Sequence, residues 1–548
     1  MLGGLLALGG TGLLASCGGP SHGVVASCAN LLSFDVKPPE QKPHEVISGT
    51  PNTPVAWTSF PEPYTSWHGD PPGNGGTVTT FQILYGAPPP PMSQNRWWQE
   101  LNRRLGVTWQ PTLVDSGDYA TKLDTLASSG FPDLTYINFG QGGSDGTTSA
   151  SFEKIVAEGA FHDLTDYVSG KGLNEFTNLP RLPRVTWADT TFAGRVYGVP
   201  YPIPPVNGFA GLYRKDWAEK LGVDQPKNAA QVLKMFGAFN SGHPEGKGNR
   251  TWAFGGLYGD LWNSMFRVPN NWRVNKDGSL TNAIETDEYR AAIDFSHQLW
   301  KAGAFYPDVL TQTFNQQLDL FTSGQVGYFA QGYAPLIGMM APGPPPNLLA
   351  SVPHAKPYPF LPPGHDGGKI LIPSNAANFG FTSIPTTIKS EKRVVELLRV
   401  MDYMAAPFGS EEGMFIQDGI EGVMYNMVDG SPVSVSSGAE NWCNGMNYLD
   451  MTGEINYFYP TNNSLALLAQ QLQAEMIKRA VADPTQGLYS PTSISAAGTL
   501  SQLQTNTTNA ILVGRQPLSA LDGMISSWKS QGGNQMRKEF EQALKKCK

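Results

Sequence analysis

Charge is what this chain has least of: Asp, Glu, Lys and Arg make up 15% of its 548 residues, and the formal net charge is -8. Nucleic-acid binding needs a basic footprint that displaces counterions from phosphates, so no nucleic-acid partner is expected. Cysteine is scarce as well. Cys17, Cys28, Cys443 and Cys547 cannot build a disulfide framework in so long a chain, and no Cys-x-x-Cys pair offers zinc ligands. Whether Cys443 and Cys547 pair is left open by the sequence. Catalytic signatures are missing too. There is no Gly-x-Ser-x-Gly elbow and no His-Glu-x-x-His pair, and Gly246-Lys247 and Gly368-Lys369 are not followed by Ser or Thr as a phosphate loop requires. Glu411, Glu412 and Glu421 are the nearest approach to an acid/base set for glycoside cleavage, but adjacent glutamates on a helix ordinarily form a solvated face. The expectation is a protein that is not an enzyme and carries no cofactor and no metal.

What is abundant is apolar and aromatic. Hydrophobic residues at 40% suffice for large cores, and the length allows roughly two to four folded units. Residues 2–15 form a Gly-rich apolar run that ends in Leu14-Ala15-Ser16-Cys17, which resembles a bacterial lipobox. Cleavage before Cys17 and acylation of its thiol would anchor the exported chain to the membrane, facing outside, since each buried CH₂ contributes about 0.8 kcal/mol. No Lys or Arg precedes the run, a departure from the usual positive start that leaves the true translation start open. Val25-Ala26-Ser27-Cys28 fits the same pattern but lacks the apolar run, so Cys17 is preferred. After this region no apolar run reaches the roughly 18 residues of a membrane-spanning helix. Residues 18–76 are dense in Pro, Gly, Ser and Thr with no hydrophobic period, and read as an extended tether in which His44, Trp57, Trp67 and His68 are expected to dock in part on the folded body rather than bind a ligand.

Regular structure is expected from residue 78. Residues 78–85 read as a strand, followed by a helix N-capped by Ser93 with Trp98, Leu101 and Leu105 on one face and Gly106 as its stop. A strand at 107–114, a helix carrying Tyr119, Leu123 and Leu126, and a strand at 134–138 complete a strand-helix alternation. That order argues for an α/β fold with a parallel, doubly wound sheet, in which ligands sit outside the carboxyl ends of strands.

Several ordered strings then carry a family resemblance. NRWWQELNRRLG at 95–106, YATKLDTLASSGFPDLTY at 119–136, GAFHDLTDY at 159–167, GRVYGVP at 194–200, GLYRKDW at 211–217, FTSGQVG at 321–327, GIEGV at 419–423 and ILVGRQPL at 511–518 together resemble extracellular solute-binding family 1, the sugar-binding lipoproteins of ABC importers. The resemblance runs from residue 78 to the C-terminus. It implies a two-lobed periplasmic-binding-protein-like fold of type II, each lobe a doubly wound sheet flanked by helices and joined by crossover hinge segments near 199–205 and 379–386. The implied division is a lipoprotein signal at 1–17, a tether at 18–76, a first lobe at 77–204 plus about 376–430, and a second lobe at 205–375 plus about 431–548. Gly198 and the prolines of 200–205 suit an extended crossover unable to join a regular sheet.

The implied function is capture of a mono- or oligosaccharide in the interlobe cleft and its delivery to ABC permease subunits, by a monomer. A surface-attached polysaccharide-binding module without transport, a glycan-cleaving enzyme, or a peptide or polyamine ligand are the alternatives. Sugars need flat apolar faces and planar amides or carboxylates, which nominates Gln141, Trp187, Tyr201, Trp262, Asn263, Trp272, Gln331, Tyr333, Glu421, Trp442 and Asn447. Residues 243–250, where oligosaccharide binders can carry a calcium loop, offer Glu245 and Asn249 but lack the oxygen-rich spacing calcium requires, so no calcium is expected there.

Overall fold

The computed structural model describes residues 53–138, 154–187, 190–192, 194–207, 209–342, 347–374, 378–435, 442–446, 456–460, 462 and 464–546. Cys17, His44, Gln141, Asn447 and Cys547 lie outside them.

The chain first builds β1 (Thr77–Leu84), α1 (Arg96–Leu105), β2 (Thr108–Asp115), α2 (Tyr119–Ser129) and β3 (Leu134–Asn138), with β1 parallel to both β2 and β3. Alternation along β1 explains why both of its faces are covered. Val78 joins the buried cluster that contains Trp97 and Leu101 of α1, while Phe81 and Ile83 join the one that contains Tyr119 and Leu123 of α2. The cap of α1 is Asn95 rather than Ser93: its Oδ1 accepts from the Trp98 amide at 2.9 Å, and Ser93 sits in a preceding 3-10 turn. Gly106 ends the helix at φ 66°. A side chain there would meet Pro71 and the backbone of Gly73, so the stop and the docking of the preceding segment depend on the same glycine.

After α3 (Arg184–Trp187) and β4 (Val199–Pro202) the chain enters a second lobe through residues 203–210. This lobe holds β5 (Gly211–Arg214), α4 (Ala229–Ser241), β6 (Trp252–Phe254), α5 (Gly259–Phe266), α6 (Asp287–Lys301), α7 (Phe314–Thr322), β7 (Val326–Ala330) and β8 (Pro357–Phe360). Its sheet order is β8-β5-β7-β6, with β5 antiparallel to both neighbours and β6 parallel to β7. Ser374 pairs with Ala482 in the second lobe, and the next described residues, β9 (Asn378–Ser383), belong to the first. β9 inserts antiparallel between β3 and β4, which gives the first sheet the order β2-β1-β3-β9-β4. The crossing therefore precedes 379–386 instead of lying within it. α8 (Glu391–Met404) and α9 (Glu411–Gln417) pack on the first lobe. α10 (Ser464–Ile477), α11 (Pro491–Leu512), α12 (Ala520–Trp528) and α13 (Asn534–Lys546) then complete the second.

Three expectations are corrected here. The prolines of 200–202 do not keep the chain out of the sheet: β4 is an edge strand, where a missing N–H costs no ladder bond, and Pro200 and Pro202 sit opposite Phe381 and Asn378. Next, the first lobe extends beyond residue 430. Gln82 Nε2 donates to the Gly445 and Met446 carbonyls at 3.0 Å each, and Met446 is buried among first-lobe side chains. Finally, the stretch read as tether is docked from residue 53 onward, as expected in part for Trp57 and Trp67 but over far more of its length. Val55–Ala56 pair parallel with Asn456–Tyr457 in the second lobe, Trp57 is 1% exposed, and Ser66 donates from both N and Oγ to Glu412 on the first lobe at 2.8 Å. Trp57 and Phe60 make that docking favourable, because their rings pack on Phe408 and Phe60 also packs on Phe458. It also corrects the solvated-face reading of the glutamate pair, since Glu412 is buried and hydrogen-bonded.

Candidate functional site

Parallel strands direct their carboxyl ends to one edge of a sheet, and the chain returning antiparallel brings its amino end to the same edge. In the first lobe that edge collects Tyr85 after β1, Asn138 at the end of β3, Tyr201 near the end of β4, and Asn378 and Phe379 at the start of β9. The Phe379 ring lies 6.3 Å from Tyr85 and 6.0 Å from Tyr201, and Tyr201 stands edge-on to Tyr136 at 6.4 Å. All three rings, Tyr85, Tyr201 and Phe379, are half-buried, so each keeps part of a face or edge available. From the second lobe, Phe314 at the first residue of α7 approaches Tyr85 edge-on at 5.8 Å. The lobes meet again at Phe192 and Tyr489, 5.6 Å apart.

Amides hold these rings in place. Buried Asn138 donates to the Tyr85 hydroxyl at 3.4 Å. Asn378, also buried, accepts through Oδ1 from the Tyr201 amide at 3.0 Å and the Gly380 amide at 3.3 Å, and donates through Nδ2 to the Thr186 carbonyl at 3.4 Å. One side chain thus joins the ends of α3, β4 and β9. Behind it, a Cβ on Gly380 would lie 2.3 Å from the Ile137 carbonyl, so β3 and β9 approach closely only because that residue is glycine. Asn444 donates to the Tyr85 and Ala87 carbonyls at 2.9 and 2.6 Å, fixing the connection that leaves β1.

The residues nominated from sequence divide sharply. Tyr201 belongs to the aromatic edge. Trp187 is fully buried in the first lobe, and Trp262, Trp272 and Tyr333 are 1%, 5% and 1% exposed in the core of the second, so none of the four presents a ring to a ligand. Trp272 packs on Trp528 and Phe540, and the Tyr333 hydroxyl donates to the Ala469 carbonyl at 3.0 Å, with burial raising its phenol pKa. Gln331 follows β7, half-buried, its amide 3.0 Å from Met339 Sδ. Asn263 is half-buried within α5, its carbonyl accepting from Val268 at 2.9 Å. Trp442 packs against the first-lobe core, and its carbonyl accepts from Asn95 Nδ2 at 2.7 Å. Glu421 is exposed in a separate groove of about 780 Å³ between α1 and α9, lined by Arg96, Arg103, Met414 and Tyr425.

Tyr85, Asn138, Asn378, Phe379 and Phe314 were not nominated. The signal for the first two was present, since each is the last residue before a Gly-rich or Pro-rich connection at a strand's carboxyl end. For Phe379 and Phe314 no local signal exists, because only the return of β9 and the approach of the other lobe bring them there.

The segment 243–250 is organised around a guanidinium. Arg214, fully buried, donates to Asp216 and Glu245 at 2.6 Å each, and Trp217 Nε1 donates to Glu245 at 2.6 Å. Burial pushes both carboxyls up, but these hydrogen bonds and the Arg214 charge outweigh it and hold them below the ordinary range. Among the described residues no group of three or more His, Cys, Asp or Glu is placed to hold a metal ion, and no helix is long and apolar enough to cross a membrane.

Over 486 residues the chain is 23% identical to the polygalacturonan/rhamnogalacturonan-binding protein YtcQ of Bacillus subtilis (strain 168), covering 86% of this chain and 92% of that one. It is 22% identical over 494 residues to lipoprotein LipO of the same organism, covering 86% and 94%. Among solved structures, the alginate-binding protein AlgQ2 superposes with a TM-score of 0.63 at 15% identity, over 88% of this chain and 99% of that one, which speaks to the fold. Residues 90–389, more than half of the chain, match the family of bacterial extracellular solute-binding proteins, and the protein belongs to that family of binding proteins, not enzymes.

Proposed function

We propose that the chain is the substrate-binding lipoprotein of an ABC importer, held to the outer face of the cell membrane by a lipid on Cys17, and that it captures a mono- or oligosaccharide between its lobes and hands it unaltered to a permease. The observation that carries this reading is the aromatic edge of the first lobe. Tyr85, Tyr201 and Phe379 offer half-buried rings beside buried Asn138 and Asn378, and Phe314 approaches from the opposite lobe. A pyranose or furanose ring packs its C–H face on such rings, and its hydroxyls need donors and acceptors of the amide type. The relatives give support in the same direction. One is named for polygalacturonan and rhamnogalacturonan, and the fructooligosaccharide ABC transporter substrate-binding protein FusA of Streptococcus pneumoniae is 23% identical over 333 residues. LipO supports the lipid anchor by its name.

Because Phe314 and Tyr85 belong to different lobes, a ligand touching both binds the closed arrangement better than the open one, and its differential affinity drives closure. The test is a thermal-shift screen over mono- and oligosaccharides followed by small-angle scattering. A cognate sugar raises the melting temperature and reduces the radius of gyration. Binding without compaction would count against capture between the lobes, and time-dependent cleavage of the sugar would overturn the reading altogether. For the anchor, metabolic labelling with a tagged fatty acid is expected in the wild-type chain and lost in Cys17→Ser.

A further inference from the structure

We infer that the cleft reads an oligosaccharide of about three sugar units laid across the strand ends of the first lobe, in place of a single sugar gripped between two rings. The inference rests on the carbohydrate reading above and adds the length of the ligand.

The row of rings follows from the order of the strands. Tyr85 leaves β1, Asn138 ends β3, Asn378 and Phe379 begin β9, and Tyr201 lies near the end of β4; these four strands are neighbours in that order. Neighbouring strands lie about 4.8 Å apart, so the row crosses the sheet in steps close to the advance of one glycosyl unit. The ring positions agree. Tyr85 to Phe379 is 6.3 Å and Phe379 to Tyr201 is 6.0 Å between centroids, so the three rings span at most about 12 Å. One sugar ring covers a single platform of this kind, and about three in succession cover them all.

Two observations mark the row as more than packing. Phe381 lies two residues further along β9 than Phe379, and Tyr136 two residues before Asn138 on β3, and both are fully buried, whereas Tyr85, Phe379 and Tyr201 are half-buried. The row is also held in place by amides of its own edge. Asn138 donates to the Tyr85 hydroxyl at 3.4 Å, and the Tyr201 amide donates to Asn378 at 3.0 Å, which lowers the ordering cost that binding would otherwise carry.

The other lobe sets the ends of the row. Beside β1, Phe314 stands edge-on to Tyr85 at 5.8 Å, a separation at which the rings touch and leave no slot for a sugar between them. Beside β4, Phe192 of the hairpin formed by Thr191–Phe192 and Arg195–Val196 packs on the same cluster as Tyr201 and meets Tyr489 of the second lobe edge-on at 5.6 Å. A saccharide therefore lies along the row, between these two contacts across the lobes. A chain longer than the row finds no further ring of this set.

The experiment titrates the full chain by calorimetry with homologous series of one to six units: α-1,4-linked glucose, β-1,4-linked mannose, β-2,1-linked fructose and α-1,4-linked galacturonate, together with the series of any other sugar selected by thermal shift. In the series that binds, affinity is expected to rise at least tenfold from monosaccharide to disaccharide and again to trisaccharide, then to change by less than about threefold through six units. Tyr201→Ala removes one end of the row. It is expected to bring the trisaccharide to within about threefold of the disaccharide and to leave the disaccharide, which keeps Tyr85 and Phe379, unaltered. A monosaccharide bound as tightly as the trisaccharide, or affinity still climbing beyond four units, would overturn the inference while leaving the carbohydrate reading standing. So would equal losses for disaccharide and trisaccharide in Tyr201→Ala. If no series binds while a non-carbohydrate solute does, the carbohydrate reading falls and this inference with it.

Discussion

Both lobes bury aromatic rings, but they differ in what they leave at the strand ends. In the second, aromatic rings are gathered inward: Phe236 meets Phe254 at 4.5 Å, Phe254 meets Trp262 at 5.4 Å, and Trp262 meets Phe295 at 5.3 Å, all of them buried. In the first, three rings stand half-exposed at strand termini, steadied by asparagines. A ring in the middle of an element becomes core, and a ring at the end of a strand facing the cleft stays available. Position within the element, rather than aromatic character, separates a ring that is packed away from one that is left accessible.

That contrast can be broken most severely in the second lobe. Trp262→Ala is expected to lower unfolding free energy by about 3–5 kcal/mol in urea titrations, through lost burial plus a cavity, with ligand preference retained in whatever fraction stays folded. A small loss would mean that the ring network is not the core it appears in the geometry. Glu245→Gln should cost about 1–3 kcal/mol, because Arg214 is buried and keeps only Asp216 as a charged partner. The sign with pH follows from the lowered carboxyl pKa values of Asp216 and Glu245. Their contribution is present above the ordinary carboxylate range and lost as pH falls through their depressed values, so the gap between wild type and variant narrows on acidification. A gap that widened instead would contradict the ion-pair account.

In the first lobe the expected cost shifts from stability to affinity. Tyr201→Ala is expected to weaken saccharide binding by about tenfold, roughly 1.4 kcal/mol by calorimetry, with a melting temperature close to wild type. The smallest effect belongs to Asn95→Ala, about 1 kcal/mol of stability for the lost cap of α1. It should leave the ligand affinity unaltered, and an equal effect on both would show that α1 and the cleft are coupled through the Asn95 bond to Trp442.

Much of the fold was legible from periodicity and punctuation. β3 was placed at 134–138 without error, β1 and β2 within one residue, and the glycine stop of α1 was found because a left-handed residue after a helix has few other occupants. The interlobe architecture came from ordered resemblance, since nothing in the local pattern of 203–210 or 375–377 states that the chain changes lobes. The site was legible only in outline. Strand order pointed to the connections after Tyr85 and Asn138, yet the rings of Phe379 and Phe314 arrive there by contacts more than 60 residues long in sequence, which no window reads. Trp187, Trp262, Trp272 and Tyr333 were nominated because a tryptophan bound for the core and one bound for a sugar look alike in sequence, and burial alone tells them apart.

The segment that precedes the first sheet would limit how far the two lobes could part. Trp57 is bonded to the Tyr457 carbonyl beside one lobe, and Tyr64 is bonded to Gly409 and Glu411 on the other. Seven peptide steps separate the two attachments, and a fully stretched chain reaches at most about 25 Å over that length. Any opening that carried the attachment points beyond this span would have to peel one of them away, so in such a motion residues 57–64 would act as a check strap whose slack sets the widest gape reached without unzipping.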